Sequence, residues 1–557
     1  MVRKFLSIFS KEISGLHEAA YLLGFFALLS QVLALIRDRL LAHIFGASHA
    51  LDIYYAGFRI PDFIFVSVAS MVSISVLIPF LIDRLETDPG SARRFLSNVF
   101  SAFFFLIMTV AIVAFFFTPY LLRLFFPTFK HDFGTLVSVT RILLLSPIFL
   151  GFSNFLASIT QVYKRFFIYA LSPIVYNLGI ILGIVFLLPR FGIQGLAWGV
   201  ALGAFLHFFI QVPFVVNKSL FPRLSWRIDF AYIRQVALLS LPRTLTISSN
   251  EICEFFLVSF ASFLSGGSIS VFNFSFNLQS VPLSIIGVSY SLAAFPTLTR
   301  LYTSGNNKKF VDHMVTTTQH IIFWSIPVMV LFVVLRAQIV RVILGSGQFS
   351  WSDTRLTAAS LALFIISIIP QSLVVLFVRA YYSRGNTKKP LLMNLFSSLL
   401  IIALSYVLVI FYNHHEFFRF FIQSMFRIED LPGGAVLMLP LAFSIGVTVN
   451  LIIHWIAFHL DFPEFSGPVF RTFWQSLGAS VIMGFVSYEL LNLFDNFFDL
   501  NTFWGIFLQG FLSGMIGITI AIVLLSLLKN REIRSIWRTL HHKIWKAKVI
   551  GPDPNAF

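Results

Sequence analysis

Nine ionisable side chains lie in or beside strongly apolar stretches, in three groups: Arg37, Asp38 and Arg39; Asp52, Arg59 and Asp62; and Arg243, Glu251 and Glu254. A guanidinium group matches the planar geometry of a phosphate or carboxylate and can bind it through two parallel hydrogen bonds. Buried carboxylates can hold a cation or a proton, or contact a polar headgroup. Ionisable groups inside a membrane are costly, and they line a cavity or pair with one another. Arg243 and Glu254 are three helical turns apart and share a face of any helix that carries them, with Glu251 about 60° around it from Glu254. For Arg37–Arg39 two readings stand side by side, a functional site and an interfacial cluster that snorkels to headgroups. Glu251 and Glu254 lie too deep in their run for snorkelling.

None of these groups pairs a nucleophile with a base, so no catalytic residue is assigned and an enzyme is not expected. There is no G-x-x-x-x-G-K-[ST] phosphate loop. His414-His415-Glu416 lacks the second His of a zinc-protease motif, Asp495 and Asp499 suit a solvated loop, and no metal ligand or cofactor is assigned. A coupling ion of unspecified identity is the one small partner the carboxylates invite. The single cysteine, Cys253, excludes an internal disulfide.

The elements that must position these groups are membrane helices. Of the 557 residues, 57% are hydrophobic and only 11% charged, with a mean hydropathy of +0.86; soluble domains carry roughly 25% charged residues. Apolar runs of spanning length occur near 19–43, 62–82, 97–122, 136–160, 166–188, 192–215, 232–264, 268–298, 312–342, 354–382, 390–411, 432–460, 470–493 and 502–528. The chain is therefore expected to be an all-α polytopic membrane protein of about fourteen transmembrane helices. The loop after the first span is expected to carry Asp52, Arg59 and Asp62.

Loop charge sets the orientation. With the N-terminus cytoplasmic, the inner loops hold Arg84, Arg93, Arg94, Lys164, Arg165, Lys218, Arg223, Arg227, Arg234, Arg300, Lys308, Lys309, Arg384, Lys388, Lys389 and Arg471. The outer loops hold chiefly Arg59, Lys130, Arg190, Arg419 and Arg427. The positive-inside rule then puts both termini in the cytoplasm. The net charge of +16 is inner-face charge facing anionic membrane lipids, so no nucleic-acid partner is expected. The basic tail Lys529–Lys548 and the segment Phe417–Phe426 are expected to be interfacial amphipathic helices.

An internal repeat divides the chain. Tyr163-Lys164-Arg165 followed by Pro173 and Asn177 recurs as Tyr382-Ser383-Arg384 followed by Pro390 and Asn394. The period is six helices, an arrangement found in transporters whose substrate site lies between two lobes. The expected organisation is a cytoplasmic segment 1–18, an N-lobe 19–215, a linker 216–231, a C-lobe 232–460, two further helices in 461–528 and a tail 529–557. The first and seventh helices would line a central cavity between the two six-helix lobes.

Ser30-Gln-Val-Leu-Ala-Leu-Ile-Arg37-Asp38, then Ile44-Phe-Gly46-Ala47, Asp52 and Phe58-Arg59-Ile-Pro61, resembles the MurJ (MviN) family of lipid II flippases, in the MOP exporter superfamily. Phe263-Leu-Ser-Gly-Gly-Ser268, Phe295-Pro-Thr-Leu298 and Tyr382-Ser-Arg384 with Lys388-Lys-Pro390 agree with it. The resemblance runs from about residue 19 to 400. It implies two six-helix lobes around a central cavity, and two C-terminal helices that extend a groove for a lipid tail. It also implies transport of lipid-linked peptidoglycan precursor between leaflets of a bacterial cytoplasmic membrane by alternating access, with cationic cavity residues meeting the pyrophosphate. The substrate-binding set is then Arg37, Asp38, Asp52, Arg59, Arg243, Glu251, Glu254 and Asn277. Arg37, Asp38 and Asp52 match family positions. Gln31, Phe65 and Asn277 stand where the family has arginine, Ala69-Ser-Met-Val72 replaces Ala-Glu-Gly-Ala, and Arg243, Glu251 and Glu254 are gained. Three lost cations and two added carboxylates shift the cavity's charge by about five units. Two alternatives stay open: an exporter of another polyprenyl-linked glycan or a cationic small molecule, and a non-transporting membrane scaffold.

Overall fold

The computed structural model describes residues 16–68, 74–87, 89–226, 228–530 and 532–534. The N-terminal cations, Ala69–Val72, Arg227, Arg531 and the tail from residue 535 onward, including most of the expected interfacial helix, lie outside the described residues. The described residues hold helices and no strand. A bilayer leaves unpaired backbone amides unsatisfied, and helices close every amide within the segment. Where the expected runs are described they lie largely on helix, with breaks at positions such as Leu144, Leu335, Ile366 and Ser367; residues 69–73 of the run 62–82 lie outside the described residues. Among the described residues ten helices are long and apolar enough to cross a membrane, or eleven if Trp351–Ile365 and Ile368–Ser383, bent by 41° at their junction, form one span.

The helices that matter for the site are α1 (Leu16–Phe45), α2 (His49–Val68), α3 (Ile74–Thr87), α4 (Pro89–Phe125), α5 (Phe133–Leu143), α6 (Leu145–Val162), α7 (Phe166–Leu182), α8 (Ile193–Phe209), α9 (Phe230–Ser262), α10 (Ser268–Leu283), α11 (Trp351–Ile365), α12 (Lys388–His414) and α13 (Glu416–Phe426). The chain divides into two compact units. One comprises 1–278, 343–363 and 387–446, and the other 279–342, 364–386 and 447–557.

In the first unit, Leu77, Phe95, Phe103, Phe155 and Ile159 interlock α3, α4 and α6 in an aromatic-rich core. Lipid-facing positions such as Phe116 and Leu124 on α4 remain exposed, as expected where the solvent is hydrocarbon. Helices α7 and α8 meet by a different device. Gly183, immediately after α7, lies against Gly199 of α8, and a Cβ on either would collide with the other's backbone. Small residues of this kind let membrane helices approach closely.

Helix α13 covers the expected amphipathic segment; Phe417, Phe420, Phe421 and Met425 are exposed and Ile422 is buried. It ends at Arg427, whose left-handed backbone (φ 56°) turns the chain back. Arg355 of α11 fastens that turn, donating to both carboxylate oxygens of Asp430 at 2.6 and 2.8 Å and to the Arg427 carbonyl. The Arg355 hydrogen bonds hold the Asp430 carboxyl below its ordinary range. A depressed carboxyl group stabilises the fold above its unfolded value near 4 and loses that contribution as pH falls through its lower folded value. The pair is solvent-exposed, so its effect is local order rather than global stability. Asp430→Asn should speed amide exchange at Ile428–Leu431 at pH 7 and leave thermal unfolding unchanged. Unchanged exchange would remove the clamp's role.

The second unit buries its own aromatic cluster, where Phe458 packs on Phe310, Phe377 and Phe465. Arg384 donates to Asp461 at 2.7 Å. The C-terminal helices Ser466–Phe494 and Phe503–Leu527 pack together, and the first lies along Asn307–Val334.

Candidate functional site

Two polar clusters and one helix cap gather most of the singled-out residues, all within the first unit. In the first cluster Arg37 of α1 donates through Nε and Nη2 to Asp38 Oδ1, at 3.0 and 2.8 Å. Its Nη1 reaches Asn177 Oδ1 of α7 at 3.4 Å. Asn177 is fixed in turn, since its Nδ2 donates to Ser30 Oγ and to the Pro173 carbonyl at 3.2 and 3.1 Å. Asp38 is 3% exposed, and its Oδ2 accepts from Asn277 Nδ2 of α10 at 3.0 Å. Arg39 points elsewhere, donating to the Ile343 carbonyl at 3.2 Å.

The second cluster centres on Arg59. It does not lie in an outer loop as expected; Asp52, Arg59 and Asp62 all belong to α2, which has Pro61 inside it and buries Tyr54, Tyr55, Ile60 and Ile64. The charged residues depress the local hydropathy and hide a helix in which Asp52 and Arg59 are hydrogen-bonded by residues of other helices. Arg59 Nη1 donates to Glu254 Oε2 of α9 at 3.4 Å, and Nη2 to Asn273 Oδ1 of α10 at 3.1 Å. Its Nε is buried with no hydrogen-bond partner among the described residues. Asp62 follows one turn on along α2, within electrostatic reach of Arg59. Glu251 lies within electrostatic reach of Glu254, Asp62 and Arg59. Arg243 lies on α9 about 16 Å along the axis from Glu254.

Asp52 stands apart from both clusters. Its carboxylate accepts from the backbone N–H of Gly267 and of Ser270 at 2.7 Å each, and from Ser270 Oγ at 2.6 Å. It therefore caps the N-terminus of α10, where a carboxylate satisfies open amides and complements the helix dipole. Gly267 (φ +90°) is required there, because a Cβ would collide with the Ala47 carbonyl. Of the expected substrate-binding set, the structure brings Arg37, Asp38 and Asn277 together, and Arg59, Glu251 and Glu254 together. Asp52 is occupied by the cap.

The two clusters place two guanidinium groups among four carboxyl groups, Asp38, Asp62, Glu251 and Glu254. These described side chains do not form a cationic cradle. Each arginine is held by a carboxylate and an asparagine, so a phosphate would reach it by exchange with those partners. Asn177 was visible only as part of the repeated Pro–Asn pattern, and Asn273 gave no signal, being uncharged in an apolar run. Burial beside Arg59 is what identifies it. Among the described residues no group of three or more His, Cys, Asp or Glu could hold a metal ion.

Comparison with known proteins adds to this geometry. The family described as "Lipid II flippase MurJ" matches residues 41–508. A probable lipid II flippase MurJ of Buchnera aphidicola subsp. Acyrthosiphon pisum is 28% identical over 398 residues, covering 70% of this chain and 77% of that protein. The Haemophilus influenzae protein of the same description is 27% identical, covering 68% of this chain and 80% of its own length. A solved structure, "Lipid II flippase MurJ, inward closed conformation", superposes with a TM-score of 0.73 at 23% identity, covering 92% of this chain and all of that one. An inward-facing MATE-family multidrug resistance transporter of the MOP superfamily superposes at 0.64 with 14% identity, covering 78% of this chain and 95% of its own. The alternation of apolar runs, the all-helical fold and the family match over most of its length agree: the chain is a multi-pass membrane protein and belongs to the MurJ lipid II flippase family.

Proposed function

We propose that this protein moves lipid II from the inner to the outer leaflet of a bacterial cytoplasmic membrane, as a secondary-type transporter working by alternating access with both termini cytoplasmic. The observation that carries the proposal is the family match across residues 41–508. Orientation rests on the cation asymmetry of the loops, and the lobes are taken as 19–215 and 232–460 around a central cavity, with the last two helices extending a groove for the lipid tail.

The hydrogen bonds supply a mechanism for that reading. Asp38 to Asn277, Arg59 to Glu254 and Asn273, and Asp52 to the start of α10 each join a residue of 19–215 to one of 232–460. All three lie within a few turns of the ends of α1, α2, α9 and α10 that this orientation places outside. They hold the outer side together while cargo enters from within. A pyrophosphate competing for Arg37 and Arg59 would displace Asp38, Asn177 and Glu254, and so weaken the ties that keep the outer side shut. Such a ligand shifts the equilibrium only through its differential interaction with the two states, and partner exchange provides one. Glu251 is the group best placed to take up a coupling cation or proton as Glu254 loses Arg59, which keeps the local charge from growing more negative.

The carboxylate excess keeps a cationic cargo in view, but the family match favours lipid II over that reading and over a non-transporting scaffold. Two measurements separate these readings. Expression in a flippase-depleted strain should restore growth and the accessibility of lipid II at the outer surface. Arg37→Gln at equal membrane abundance should restore neither. Binding of purified protein to lipid II, compared with organic cations, gives the complementary readout. Rescue by Arg37→Gln equal to wild type would remove Arg37 from the substrate site. Failure of the wild type itself, with organic-cation binding retained, would overturn the lipid II assignment.

A further inference from the structure

An apolar groove of about 800 Å³ opens between α4, α5, α6 and α8, far in sequence from the charged clusters. Ile112, Phe115, Leu145, Ile148 and Trp198 line it, and Arg141 supplies its cation. Arg141 Nε donates to the Phe115 carbonyl at 3.1 Å, and the guanidinium stacks over the Phe115 ring at 4.4 Å. These two contacts anchor the group beside the groove, and neither terminal nitrogen hydrogen-bonds a described residue. Ser138 lies one turn before Arg141 on α5.

Depth follows from helix length. Arg94 on α4, and Lys164 and Arg165 after α6, mark the inner face in the proposed orientation. At 1.5 Å per residue, roughly 32 Å of helix separate Arg94 from Phe115, and roughly 35 Å separate Lys164 from Arg141. Both distances match a hydrocarbon thickness of about 30 Å. Two independent helices thus put Arg141 at the outer headgroup boundary, with Leu145, Ile148 and Ile112 continuing into the acyl region beneath it. A fixed cation at headgroup depth above an apolar channel matches an anionic lipid in charge and in shape.

We infer that this groove is a binding site for one anionic phospholipid of the outer leaflet, its phosphodiester held by Arg141 and Ser138 and one acyl chain laid along Leu145 and Ile148. The leaflet rests on the orientation proposed above; the site itself does not. A bound lipid here would brace α4 against α5 and α6, where Leu144 breaks α5 from α6.

The test is native mass spectrometry of the full-length protein in detergent with phosphatidylglycerol and phosphatidylethanolamine added in equal amounts. Wild type should retain one phosphatidylglycerol at least fivefold in preference. Arg141→Gln should abolish the preference and Arg141→Lys should keep part of it. Gly134 lines the same groove and has open space at its Cβ, so Gly134→Leu should narrow the groove and lower retention of both lipids. It also serves as the independent variant if Arg141→Gln fails to fold. Equal retention of the two lipids by wild type, or retention of a polyprenyl diphosphate in their place, would overturn the inference. Ser138→Cys should react with a membrane-impermeant maleimide from outside; reaction only from inside would overturn the orientation while leaving the lipid result standing.

Discussion

Arg59→Gln is expected to destabilise the protein by about 3 kcal/mol, whereas Glu254→Gln costs about 1 kcal/mol or less. Removing one partner of a buried ion pair leaves the other uncompensated, at a cost of roughly 3–5 kcal/mol. The two sides of this pair are not equivalent. Arg59 is 9% exposed and faces Glu254, Asp62 and Glu251 together; without it, three carboxyl groups share one region with no described cation among them. Without the Glu254 charge, Arg59 keeps Asn273 and the field of Asp62. The double variant should therefore recover part of the Arg59→Gln loss, giving a coupling energy of the size seen between contacting residues, about 0.5–3 kcal/mol. Thermal unfolding of the detergent-purified protein reads all three. Equal losses for the two single variants would show that the carboxylate excess carries no energetic weight.

That asymmetry was only half legible in the sequence. The three charged groups were visible because each interrupts an apolar run, and α9 was placed correctly with Glu251 and Glu254 on neighbouring faces. What the sequence could not supply was the partner. Arg59 and Glu254 are 195 residues apart, and no local pattern pairs them. Hydropathy places Arg59 in a loop because it treats a charge as exposed, while a charge held by Glu254 and Asn273 can sit inside a helix. Asp52 is the opposite case. It matches a family position and the resemblance groups it with the substrate residues, while three short hydrogen bonds engage its carboxylate in capping α10. Apart from α2, the long apolar helices are legible, because twenty-residue apolar runs leave the backbone no other way to pair its amides. The glycine rows of α7 and α8 were also there to be read, at spacings of four: Gly179 and Gly183, then Gly195, Gly199 and Gly203. Their weight emerges only when the two rows are seen in contact.

Gly199→Leu should abolish accumulation of folded protein, and Gly199→Ala should lower stability by about 3 kcal/mol. Overpacking a filled interior typically costs about 1–3 kcal/mol, and relief comes from side chains that rotate away. At this crossing there are none: a Cβ on Gly199 meets the backbone of Gly183, and one on Gly179 meets the backbone of Gly203. The helices themselves must part. Separation also reaches the polar cluster, because Asn177 lies half a turn before Gly179 on α7 and holds Arg37 at 3.4 Å. Gly199→Ala should accordingly lose flippase complementation beyond what its abundance explains, while a change at a glycine with open space does not. Beyond its own helix backbone, Gly478 has no described atom within 4 Å of its Cβ position, and Gly478→Ala should be neutral or stabilising by up to about 1 kcal/mol, the helix-propensity gain alone. Membrane abundance, size-exclusion profile and rescue of the depleted strain, measured side by side, distinguish the two glycines. If Gly199→Leu accumulates and complements like wild type, close approach of α7 and α8 is not what positions Asn177 against Arg37.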